Sequence, residues 1–140
     1  MPTVKSVYLG SLRTQATHIQ SGTTILTDAP ADNMGKGEAF SPTDLMATSL
    51  GTCIITTMGI VAQRDGIELD GSNIAITKVM STAAPRRIAK IEVVIDIQTN
   101  RELSTDECKK LERSAHTCPV ALSLHLEIEQ VIAINWPEYH

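Results

Sequence analysis

Aromatic side chains are nearly missing from this sequence: Tyr8, Phe40, Trp136 and Tyr139 make up 3% of its 140 residues. So few rings exclude a stacking platform for single-stranded nucleic acid, and leave Ile, Val, Leu, Ala and Met to build the core. An excess of positive charge is missing as well. Twelve Lys and Arg stand against 16 Asp and Glu, for a net charge of -4 and a pI near 5.5, so no nucleic-acid partner is expected. The opening MPTVKSVY carries no apolar run behind its lysine and does not read as a signal peptide. Cysteine is limited to three residues. Three thiols without a leader predict a reducing compartment, the cytoplasm, and no disulfide framework. Long apolar runs are reduced to one, the uncharged stretch from Leu45 to Gln63. Its length suits a membrane, but Thr48, Ser49, Thr52, Thr56, Thr57 and Gln63 interrupt it. Asp44 and the Arg64-Asp65 pair bracket it without basic flanks or an aromatic belt. It reads as a central helix buried on several sides, and no membrane partner is expected.

What is present is an ordinary globular balance, 42% hydrophobic and 20% charged, in a length that makes one domain over residues 1–140. Val4–Leu9, Leu12–Ile19 and Thr23–Thr27 are β-rich. Gly10-Ser11 has the Gly-X form of a type II′ turn and Gln20-Ser21-Gly22 marks a second turn, which predicts a three-stranded meander. Asp28 to Phe40 is a run of turn formers and charges, an exposed loop of functional length. Ser41 then caps a helix with Pro42 at its first position and Asp44 at N3 as capping partner; it should run to about Asp65 with Gly66 as left-handed cap. Ile74–Thr82 and Ile88–Thr99 alternate as half-buried strands around a turn at Ala84-Pro85-Arg86. Ser104 and Glu107 form a capping box for a surface helix from Thr105 to about His116. Pro119 starts a short further turn of helix, and Ile128–Trp136 is a final strand. The order of elements is α+β.

Cys53 lies mid-way along the central helix, twelve residues beyond the cap. The helix dipole fades within the first turn and does not activate a thiol there, while burial raises a thiol's pKa. A reactive Cys53 therefore needs a cation from elsewhere in the fold; otherwise it is a buried structural cysteine. Cys118 stands at a break between two helices, before Pro119, where an adjustable backbone lets a thiol approach a second sulfur. Cys108, flanked by Glu107 and Lys109, reads as a bystander. His116 beside Cys118 falls short of the three or four ligands of a zinc site; no metal and no cofactor is expected. His18 and His125 read as surface or packing residues, and Arg86, Arg87 and Lys90 as a solvated hairpin tip.

SPTDLMATSLGTC, with its cysteine deep in a Gly/Ala/Thr-rich helix after a Ser-Pro cap, is followed some sixty residues later by CPVALSL. These segments, with the order of elements, resemble the OsmC/Ohr family over nearly the whole chain. The resemblance implies an OsmC-like α+β fold in an intertwined homodimer whose active sites are built from both chains. It implies a peroxidatic cysteine at Cys53, a resolving cysteine at Cys118, organic hydroperoxides as substrates and a dithiol as reductant. The family's activating pair is an arginine from the N-terminal strands, matched best by Arg13, and a glutamate at the start of the central helix. A guanidinium stays charged and can hold a carboxylate while stabilising a thiolate. Where the peroxidases read Pro-Glu, this sequence has Pro42-Thr43. Asp44 lies nine residues before Cys53, and at about 100° per residue that is the opposite side of the helix. Glu38, in GKGEAF, is a carboxylate able to swing toward Arg13.

Two functions follow as expectations. One is a thiol-dependent peroxidase working through a Cys53 sulfenic acid resolved by Cys118; the retained cysteine pair favours it. The other is a non-catalytic, small-ligand-binding OsmC-like dimer, which Thr43 favours.

Overall fold

In a computed structural model that describes residues 1–139, the chain divides into two compact units, Met1–Met46 and the remainder from Ala47. The first holds the meander β1 (Val4–Gly10), β2 (Arg13–His18) and β3 (Thr24–Asp28), antiparallel in that order. The first turn differs from expectation. Ser11 and Leu12 are its two central residues, both at positive φ (55° and 64°), which is the type I′ pattern. Gly10, at φ 84°, ends β1 where the register shifts after Tyr8, and its freedom absorbs that irregularity.

The segment after β3 is less open than its composition suggests. A 3-10 turn at Ala31–Asn33 starts it, and the chain then folds back along itself. Gly37 donates to the Ala29 carbonyl, Asp28 donates to the Phe40 carbonyl, and Thr27 bridges Phe40. A Cβ on Gly35 would lie 1.8 Å from the Ala29 oxygen, so only glycine fits there. Asp28, expected to open an exposed loop, is instead the last residue of β3 and 1% exposed.

Helix α1 (Pro42–Arg64) begins as predicted: the Asp44 N–H donates to Ser41 Oγ and the Ser41 N–H to Asp44 Oδ2, both at 3.0 Å. It passes the length and hydropathy test for a membrane span, yet in this fold Leu50, Ile54 and Met58 are fully buried core residues. Gly66 takes the left-handed conformation just beyond its end. The rest of the second unit is β4 (Asn73–Met80), β5 (Ile88–Asp96), α2 (Thr105–Ala115), α3 (Pro119–Ser123) and β6 (Glu129–Asn135). β4 and β5 pair antiparallel; β6 returns parallel to β5 after the helical crossover. Alternate residues of β5, Ile91, Val93 and Ile95, are wholly buried, together with Leu111 and Ala115 of α2. The capping box of Ser104 and Glu107 forms as expected.

One expectation for α1 needs correction. The helix buries one face, Ala47, Leu50, Gly51, Ile54, Met58 and Ala62, and leaves Thr52, Thr56 and Ile60 exposed. Gly51 rests on the sheet: a Cβ there would come within 2.4 Å of Ile76 Cδ1 and 3.3 Å of Ile74 Cγ2 on β4.

Candidate active site

Each unit carries one group of candidate residues. In the first unit, the register that pairs Thr17 with Thr24 also sets Arg13 directly opposite Asp28, and opposite charges at facing positions attract. Arg13 Nη2 lies 3.4 Å from Asp28 Oδ2 and donates to Glu38 Oε2 in a shorter bond. The same Asp28 Oδ2 accepts the Glu38 backbone N–H at 2.9 Å. The expected Arg13–Glu38 partnership is therefore formed, and a third residue, Asp28, joins it. The Glu38 N–H holds the Asp28 carboxyl below its ordinary value, with the Arg13 charge adding to the effect against the opposing influence of burial. Glu38, by its hydrogen bond and charge, raises Arg13 further, so the guanidinium stays charged. A cavity of about 170 Å³ opens here. Leu9, Leu26 and Ala39 give it an apolar wall beside the three charged side chains.

Thr43, at the position of the departure, has its hydroxyl 3.2 Å from that of Ser41. Asp44 is occupied by the cap. Arg13 has its carboxylate partners in Asp28 and in Glu38 of the folded-back loop.

In the second unit, Cys53 on α1 is half-buried and Cys118 is fully buried; both are free thiols. Cys118 sits at the N-cap of α3, where its Sγ accepts the Ala121 N–H at 3.4 Å. Burial pushes the Cys118 thiol up, the Ala121 N–H pulls it back, and a hydrogen-bonding contact with Cys53 pushes it up again. Cys53 and Cys118 are thus neighbours within the second unit. Cys108 lies apart on α2, half-buried against the core, with its pKa raised by burial and by Glu112 and Glu107. Among the described residues, no three His, Cys, Asp or Glu side chains cluster as a metal site.

Sequence reasoning missed Asp28, which it counted among the loop charges. The signal was there: a hairpin turning at Gln20-Ser21-Gly22 sets Arg13 across from Asp28 once the register is written out.

An α+β chain with a half-buried cysteine on its long helix, a second cysteine at a Cys-Pro helix start and a separate arginine–carboxylate cluster defines a class of small cysteine-bearing proteins. The OsmC-like protein family matches residues 35–131, and the chain belongs to that family. It is similar to a protein from Psychrobacter arcticus 273-4, described as an osmotic stress induced and detoxification response protein, at 47% identity and a TM-score of 0.89, covering 96% of each chain. An organic hydroperoxide resistance protein OsmC from Legionella pneumophila has the same fold at 16% identity and a TM-score of 0.73, covering 96% of this chain and 98% of that one. A Vibrio cholerae organic hydroperoxide resistance protein, with captopril bound in one of its active sites, matches at 15% identity and a TM-score of 0.72 over 96% and 92%. Comparison with curated proteins gives no match.

Proposed function

We propose that this chain is a thiol-dependent peroxidase for organic hydroperoxides. The carrying observation is the contact between the Cys53 and Cys118 thiols. In the first step the Cys53 thiolate attacks the distal peroxide oxygen. The S–O bond forms, the O–O bond breaks, and the alkoxide takes a proton to leave as an alcohol. Cys118 then attacks the sulfenic sulfur, forming the disulfide and releasing water. A dithiol restores both thiols by exchange. Arg13 is the proposed cation that favours the Cys53 thiolate and the leaving alkoxide, with Glu38 holding its guanidinium. The Arg13–Glu38 bond supports this reading over a binding-only protein, since the carboxylate lost at Thr43 is supplied from the loop. Hydroperoxide-resistance names among proteins of the same fold support the substrate class. Consumption of cumene hydroperoxide with dithiothreitol tests it. The wild type should turn over and Cys53→Ser should fall to background; equal rates would remove the peroxidase and leave the ligand-binding reading.

The working form is proposed to be a homodimer. Val4, Val7, Tyr8, Leu9, Ile25 and Leu26 leave the first unit's sheet exposed and apolar on both faces. In the second unit, a cleft of about 390 Å³ runs along the outer side of α1 past Ile55, Gly59, Ile60 and Leu69. Apolar exposure on this scale in so short a chain supports burial against a second copy.

A further inference from the structure

We propose that Asp28 is the positioning residue of the Arg13–Glu38 pair, fixing both partners through one buried carboxylate; this rests on the peroxidase reading for its effect on rate. Three observations carry it. A single oxygen, Asp28 Oδ2, meets both Arg13 Nη2 and the Glu38 backbone N–H. Asp28 is 1% exposed, whereas the Glu38 side chain is 59% exposed and that of Arg13 36%. An ion pair between two such exposed side chains gains little by itself, because ordering long side chains offsets the attraction. With the Glu38 backbone already tied to Asp28, and Arg13 already facing it across the strands, most of that ordering is done beforehand.

The third observation is the other oxygen. Asp28 Oδ1 is buried with no hydrogen bond, and a buried acceptor left unmade carries a penalty. A neutral acceptor would satisfy the Glu38 N–H equally well. What only a carboxylate adds is its pull on Arg13. Asp28 thus touches neither cysteine nor substrate in this role; it acts through the two residues it holds.

The test compares wild type with Asp28→Ala and Asp28→Asn, using cumene hydroperoxide and dithiothreitol for kcat and KM, and iodoacetamide for the pH profile of Cys53 alkylation. Loss of a positioned group costs rate steeply, so Asp28→Ala should lose about tenfold or more in kcat, with KM changed far less. Its alkylation profile should move to higher pH, which a loop tether of purely structural role would not cause. Asp28→Asn keeps an acceptor for the Glu38 N–H but no charge, and should fall between. Wild-type kcat and profile in Asp28→Ala would overturn the proposal. Should that variant not fold, an unmoved profile in Asp28→Asn overturns it instead. Should the wild type consume no peroxide, the peroxidase reading fails alone. Asp28 is then judged by the side-chain Nη resonances of Arg13, distinct in wild type and averaged in Asp28→Ala. Distinct resonances in both would overturn it.

Discussion

At the scale of residues, the two groups of candidate residues carry opposite demands on charge. Arg13 lies among carboxylates that keep it charged, while Cys118 sits where burial keeps its thiol protonated. In the proposed mechanism a resolving thiol need not ionise until the sulfenic acid forms beside it, so a protonated Cys118 suits the second step. One equivalent of hydroperoxide should therefore give an intramolecular Cys53–Cys118 disulfide with Cys108 still free, read by peptide mapping. Arg13→Met should slow that oxidation. A disulfide containing Cys108 would show that the working thiols are others.

At the scale of elements, the junctions are built from a few close contacts. Gly51 lets α1 rest directly on β4, with Ile76 filling the space a Cβ would take. Gly51→Ala gains helix propensity but overpacks this contact, for a net loss of about 1 kcal/mol. Denaturant unfolding should show a lower midpoint, and an unchanged or higher one would mean Ile76 can turn aside. At the start of α2, Glu107 accepts from Arg101, at 2.7 Å at the closest, and from the Ser104 N–H. The Arg101 hydrogen bond, then the Ser104 N–H, lowers its pKa from 4.5 to about 2. A depressed carboxylate stabilises the folded state fully above its unfolded value and loses that contribution as pH falls. The melting temperature should therefore decline between pH 4.5 and about 2. Glu107→Gln should flatten that part of the profile.

At the scale of the whole molecule, the single chain leaves apolar surface on both of its units. Tyr8, Val7 and Leu26 of the first unit, and Ile60 of the second, are all more than half exposed. Sedimentation at micromolar concentration should give a species of twice the chain mass, and a 15.1 kDa species would refute the homodimer. Tyr8→Lys, on the exposed sheet, should weaken such a dimer while leaving the second unit's core intact, as reported by helical circular dichroism.

Local chemistry in the sequence determined most of the elements. Ser41-Pro42 with Asp44, and Ser104 with Glu107, fix helix starts because capping uses only residues within one turn. Gly66 ends α1 for the same kind of reason, since a left-handed residue needs only its own freedom. Alternation along β5 marked which residues face inward, because side chains on a strand point to opposite sides in turn. The first turn was placed one residue early, since a register irregularity after Tyr8 is invisible to local pattern. Tertiary structure alone decided that Gly51 meets Ile76, that Glu38 folds back to Arg13, and that Asp28 is buried between them. These are contacts between residues far apart in the chain. Charge and composition say that such groups can pair, but only the paths of β2, β3 and the returning loop select which ones do.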